Sequence, residues 1–89
     1  NTTIENNLVY GCAASGSSTY GIQIYNDNLY SNTIKNNTVY NGGYYGIYGN
    51  RTTGSWRTNI VTGSTYGFRD NVSSGITDTY KCAYNNTYN

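Results

Sequence analysis

The reactive side chains of this 89-residue chain are four carboxylates, two thiols, three arginines and two lysines, with no histidine. The acids are Glu5, Asp27, Asp70 and Asp78, and no two lie closer than eight positions. Glycoside hydrolysis by paired carboxyl groups needs them within roughly 5–10 Å. Only the stacking of distant segments, Asp70 on Asp78 for example, could meet that demand. Without His the chain lacks the commonest general base and the commonest metal ligand. No catalytic residue, metal site or cofactor is therefore expected, and the chain does not read as an enzyme. Arg51, Arg57, Arg69 and Lys81 are expected on solvated faces or in loops.

Two kinds of modification fit the remaining residues. Cys12 and Cys82 suit a disulfide outside the cell, where the thiols of a small domain are usually oxidised. Asn-x-Ser/Thr sequons begin at Asn1, Asn36, Asn50, Asn71 and Asn85, each an acceptor pattern for N-linked glycan. Asn50 and Asn71 are expected in loops, the placement a glycan needs. Together these features point to an extracellular or cell-surface protein.

The composition narrows the class. Hydrophobic residues make up 36% and charged residues 10%, and twelve tyrosines are present. Low charge with many aromatic residues is the opposite of a disordered composition and suits a sheet with neutral, hydrogen-bonding faces. A net charge of +1 offers no footprint for nucleic acid or for anionic lipid. No apolar run is long enough for a membrane-spanning helix, so neither nucleic acid binding nor membrane insertion is expected.

The elements that would carry these residues come from a repeat. Asn1-Thr-Thr-Ile-Glu-Asn-Asn-Leu-Val-Tyr10 matches Ser31-Asn-Thr-Ile-Lys-Asn-Asn-Thr-Val-Tyr40, and each is followed by Tyr-Gly-Ile, at Tyr20 and at Tyr45. Weaker copies run from Asn59-Ile60-Val61 to Tyr66-Gly67-Phe68 and from Tyr80 to Asn89. Val9, Val39, Val61 and Ala83 are spaced by 30, 22 and 22 residues, and Tyr20, Tyr45, Tyr66 and Tyr88 by 25, 21 and 22. A period near 22, with one insertion between Val9 and Tyr20, accounts for both series. Two leucines, Leu8 and Leu29, exclude a leucine-rich repeat. Apolar residues alternate in twos, as in Tyr20-x-Ile22-x-Ile24, which is strand periodicity. Asn-Asn pairs suit sharp bends, because Asn tolerates the left-handed conformation.

The expected fold is thus all-β, a single β-solenoid domain over residues 1–89. Its three to four coils would run approximately 1–30, 31–53, 54–75 and 76–89. Four inward columns follow: Ile4/Ile34/Trp56, Val9/Val39/Val61/Ala83, Tyr20/Tyr45/Tyr66 and Ile22/Ile47/Phe68. The tyrosine column would pack in the core or at its rim. Tyr10, Tyr40 and Tyr84 would point outward as an aromatic row, able to stack on one another, on sugar rings or on a neighbouring subunit.

The pattern Asn-Thr-Ile-x-Asn-Asn-x-Val-Tyr … Tyr-Gly-Ile resembles the right-handed parallel β-helix repeat of the pectate-lyase-like superfamily, closely from Asn1 to about Ile47 and loosely beyond. The resemblance implies an internal asparagine ladder holding one of Asn6/Asn7 and one of Asn36/Asn37. Arg57-Thr58 stands at the expected place of the pair in the third coil, so the ladder should be short. Family members that cut acidic polysaccharides use clustered carboxylates that this chain does not show.

No cap is recognisable at either end of the repeat. Strand edges and apolar columns would then be left open there, a geometry that favours stacking. The expected function is structural: an extracellular, glycosylated subunit stacking end to end on copies of itself into a filament or surface array. The alternative is a fragment of a larger carbohydrate-binding or polysaccharide-degrading β-helix. Cys12 and Cys82, about three coil spacings of ~4.8 Å apart, could bond within one chain if the 11–19 loop folds down the side, or between stacked chains.

Overall fold

The computed structural model describes residues 2–12, 19–25, 31–50, 52–71 and 75–89. The repeat becomes three strands followed by three more, in the same order each time. The strands are β1 (Thr2–Glu5), β2 (Leu8–Tyr10), β3 (Tyr20–Tyr25), β4 (Ser31–Lys35), β5 (Thr38–Tyr40), β6 (Tyr45–Asn50), β7 (Thr53–Arg57), β8 (Ile60–Thr62), β9 (Tyr66–Asn71), β10 (Gly75–Thr79) and β11 (Cys82–Tyr84). Every third strand returns to the same sheet. The first sheet is ordered β1-β4-β7-β10, the second β2-β5-β8-β11 and the third β3-β6-β9, and every pairing between these strands is parallel. An isolated parallel bridge from Tyr66 to Tyr88 extends the third sheet. All-β structure in parallel sheets is compatible with a β-solenoid.

The strands are short because the chain bends twice in each repeat at residues held with positive φ. The first bend falls at Asn6, Asn36, Thr58 and Tyr80, with φ between 53° and 60°; the second falls at Gly11, Asn41, Gly63 and Asn85, with φ between 53° and 79°. Both series step by 30, 22 and 22 residues, like the valine column. Gly and Asn enter this left-handed region at low cost, whereas other residues lose roughly 1–2 kcal/mol there. Thr58 and Tyr80 therefore carry strain that the cross-strand bonds offset: the Thr58 amide donates to Thr79 O at 3.1 Å.

Register confirms all four columns. Ile4, Ile34 and Trp56 pair in the first sheet, Val9, Val39, Val61 and Ala83 in the second. Tyr20, Tyr45 and Tyr66 pair in the third, as do Ile22, Ile47 and Phe68. Ile22, Ile24, Ile34, Val39, Ile47, Trp56 and Val61 form the buried core, with Ile4, Val9, Phe68 and Ile76 packed against it. The tyrosines are half-buried and form the rim.

Two expectations need correction. The asparagine ladder is longer than Arg57-Thr58 implied, because the pair in the third repeat is Thr58-Asn59. Asn37 and Asn59 are fully buried; Asn7 Nδ2 donates to Asn37 Oδ1 at 3.1 Å, and Asn37 Nδ2 to Asn59 Oδ1 at 3.2 Å. The second residue of each pair faces inward, while Asn36 is exposed. The extra residues of the first repeat also do not form one insertion. From Tyr20 to Ile34, the next inward residue of the first sheet, is 14 residues, whereas from Tyr45 to Trp56 it is 11, so length is added both between Val9 and Tyr20 and after Tyr25.

Candidate functional site

The charged residues among the described residues do not converge on one place. Asp70 lies on β9 in the third sheet and Asp78 on β10 in the first; Asp27 and Arg51 fall outside the described residues. Glu5 pairs with Lys35 at 3.1 Å and Asp78 with Lys81 at 3.3 Å. Arg57, Arg69 and Lys81 are exposed. Among the described residues no three of His, Cys, Asp and Glu gather as metal ligands would.

Cys12 and Cys82 are free thiols in this structure. Register gives the position of each. Cys82 is in line with Ile60 and hence with Thr38 and Leu8. Cys12 lies in the first repeat beyond the second bend, its amide donating to Asn41 O at 3.0 Å.

The sequons divide by environment. Asn50 and Asn71 are not in loops: they end β6 and β9 and pair with each other in register. The Oδ1 of Asn50 is buried, and Asn71 Nδ2 donates to Tyr48 Oη at 3.1 Å. Asn36 and Asn85 are exposed on the left-handed bends. Asn1 falls outside the described residues.

What the fold does assemble is aromatic. Along the third sheet the rings of Tyr20, Tyr45, Tyr66 and Tyr88 stack with centroid separations of 5.4, 5.3 and 4.8 Å and interplanar angles of 12°, 24° and 21°. Tyr48 leans on Tyr20 and Tyr45 at 5.1 and 4.8 Å, and Tyr44 meets Tyr45 edge-on at 4.8 Å. The Arg69 guanidinium lies 5.2 Å from the centre of the Tyr66 ring, within cation–π range. Burial, reinforced by the Tyr44 phenol, pushes the Tyr45 phenol above its ordinary 10.0, with Arg69 opposing the shift.

The glycine of each Tyr-Gly-Ile makes this array possible. A Cβ on Gly21 would stand 2.6 Å from Val39 Cγ1, and one on Gly46 would stand 2.2 Å from Val61 Cγ1. With no side chain here, the third sheet closes directly onto the valine column and the tyrosines keep a common register.

A second aromatic set lies on the outer face of the second sheet. Tyr10, Tyr40 and Tyr84 are 49–69% exposed, as strand alternation requires when the valine column faces in. Register places Thr62 between Tyr40 and Tyr84, so the row is interrupted. The neighbouring outward column is Leu8, Thr38, Ile60 and Cys82. None of these eight residues is an Asp, Glu, Lys or Arg. The two aromatic sets differ in what they offer a ligand. In the rim ladder the ring faces are consumed by each other, whereas the outer tyrosines take part in none of these ring pairs.

Sequence reasoning missed Asn59, Tyr44 and Tyr48. Asn59 had a signal: the step of 22 that carries Val39 to Val61 carries Asn37 to Asn59. Tyr44 and Tyr48 had none, since their part in the ladder depends on side-chain packing across repeats. Comparison of the chain with family models, curated proteins and solved structures finds no match.

Proposed function

We propose that this chain is a structural module: a right-handed β-solenoid with the pectate-lyase-like architecture, extracellular, glycosylated, and built to stack on copies of itself into a filament or surface array. Parallel crossovers in one sheet are right-handed in about 98% of cases, which supports the handedness.

The observation that carries the stacking is the direction of the asparagine ladder. Each Oδ1 accepts the backbone N–H and the Nδ2 of the residue one repeat earlier: Asn37 Oδ1 takes both from Asn7 at 3.1 Å, and Asn59 Oδ1 takes both from Asn37 at 3.1 and 3.2 Å. In that direction Asn7 Oδ1 is the ladder's open acceptor among the described residues. Around it Ile4, Val9 and Ile22 line an open depression, and β1, β2 and β3 each form the edge of a sheet. In the fourth repeat the ladder position belongs to Lys81, whose successor Cys82 pairs with Ile60. Lys offers donors only, the complement that Asn7 Oδ1 lacks. A second copy placed fourth repeat to first repeat supplies those donors, covers the apolar depression and continues the first and second sheets.

Electron microscopy and sedimentation across a concentration series test this. Wild type should form rods of uniform width, and Val9→Asp, which puts a charge on the open face, should stay monomeric with an unchanged circular dichroism spectrum. A wild type that remains monomeric at every concentration sinks the stacking. A non-reducing denaturing gel of the rods reads the cysteines: a ladder that collapses on reduction places a Cys82–Cys12 bond between chains. Glycan on Asn36 or Asn85 would project from the outer bends without blocking the stack.

The unpaired outer tyrosines favour one other reading, a carbohydrate-binding β-helix. Stacking of sugar rings on Tyr10, Tyr40 and Tyr84 predicts retention on polysaccharide columns that is lost in the triple Tyr→Ala variant.

A further inference from the structure

We propose that Tyr66 and Tyr88 are a site of oxidative coupling, joined by a one-electron phenol oxidant into a dityrosine that staples the third repeat to the fourth.

Three observations single out this pair. Its rings are the closest of the near-parallel ladder contacts, 4.8 Å between centroids at 21°. Tyr88 is 57% exposed, so an oxidant reaches it, whereas Tyr20 and Tyr45 are both half-buried. The Tyr88 backbone is held on both sides, its amide donating to Thr65 O at 2.7 Å and its carbonyl accepting from Gly67 N at 2.8 Å. The ring therefore stays beside Tyr66 yet turns about its own side-chain bonds to bring ortho carbons together.

The chemistry balances with hydrogen peroxide and a haem peroxidase as oxidant. Each phenol loses its hydroxyl hydrogen as one electron and one proton, giving a phenoxyl radical with spin on the oxygen and the ortho carbons. The two radicals form one ortho–ortho C–C bond. Each ring then moves its ortho hydrogen to oxygen and becomes a phenol again. Two hydrogens leave the protein, and one peroxide becomes two waters.

Exposure alone would favour a different outcome. Tyr80, at 84%, is the most exposed large hydrophobic of the described residues, and collisions between molecules would join Tyr80 or Tyr10 of separate chains. Two rings held in contact react at an effective concentration that dilution cannot match. Coupling at Tyr66–Tyr88 is thus set by position and not by access.

The full chain, treated at high dilution with peroxidase and limiting peroxide, should give a monomer lighter by two hydrogens, with dityrosine fluorescence. Trypsin separates Tyr66, in 58–69, from Tyr88, in 82–89, and from Tyr80, in 70–81. The expected product links the first two peptides, with fragmentation assigning the bond to Tyr88 and not to Tyr84. Its yield per chain should not change on tenfold dilution. Tyr88→Phe should lose the intrachain product and Tyr80→Phe should keep it. A bond mapped to any other pair, a yield that falls with dilution, or a Tyr88→Phe variant that still forms the product overturns the proposal.

Discussion

Asn37 and Asn59 stand one above the other in the interior, both fully buried, with Asn37 Nδ2 3.2 Å from Asn59 Oδ1. Asn37 Nδ2 also meets Ile4 O at 3.0 Å, and Asn59 Nδ2 meets Ile34 O at 2.9 Å. Each amide thus satisfies a carbonyl of the preceding repeat and binds its partner in the ladder. Buried amides are tolerated inside an apolar core only when their bonds are made.

Asn37→Ala should cost about 2–4 kcal/mol in urea unfolding, because it leaves Ile4 O and the Asn7 amide without that partner. Its neighbour behaves oppositely. Asn36→Gly, exposed at φ 56°, should change stability by only a few tenths of a kcal/mol, since Gly accepts the left-handed conformation. Equal losses at the two positions would contradict the inward assignment of Asn37.

Thr58 is a β-branched residue at φ 53°, where such residues are rare. Thr58→Asn should restore the bend chemistry of the first two repeats and raise stability by about 1 kcal/mol. Thermal unfolding followed by circular dichroism measures it. A loss would mean that the Thr58 hydroxyl, within reach of Asn36 Oδ1 and Arg57 O, outweighs the backbone strain.

Gly46→Ala should destabilise by about 3 kcal/mol, because the new Cβ would meet Val61 Cγ1 at 2.2 Å and Gly67 O at 2.7 Å. Gly11→Ala has nothing within 4 Å and differs only in its φ of 74°, so its cost should be about 1–2 kcal/mol. Chemical denaturation of the two variants side by side separates crowding from backbone strain.

Trp56 is the one tryptophan and is 1% exposed. Its emission in the folded protein should be blue-shifted and insensitive to iodide, moving red on unfolding. Iodide quenching of the native protein as strong as that of the unfolded chain would remove Trp56 from the core.

The raised pKa of Tyr45 sets a pH dependence. The folded state holds the phenolic proton more tightly than the unfolded state, so this contribution to stability is complete below the ordinary value of 10.0. It is lost as pH rises from there through the higher folded value. Ultraviolet titration of wild type minus Tyr45→Phe should show a phenol ionising above 10.0; a normal ionisation would mean that the ring is solvated.

Much of this architecture was legible in the residue order because a parallel stack repeats one environment at one interval. Val9, Val39 and Val61 recur since each meets the same interior, and Gly21, Gly46 and Gly67 recur since each crosses the same valine column. Periodicity also held the third rung of the ladder, Asn59, although the altered bend residue Thr58 hid it. The environment of the sequons at Asn50 and Asn71 was not legible. A strand end and a loop look alike in one dimension; the pairing of β6 with β9 puts both residues in a sheet, where Asn50 Oδ1 is buried and Asn71 bonds Tyr48. The tyrosine rim was half legible: the recurrence of Tyr20, Tyr45, Tyr66 and Tyr88 set a column. That their rings stack on one another, with Tyr44 and Tyr48 drawn in, was decided by side-chain packing between repeats. Spacing along a chain determines which residues share a level and a face, but the direction of a ring is decided by what fills the space beside it.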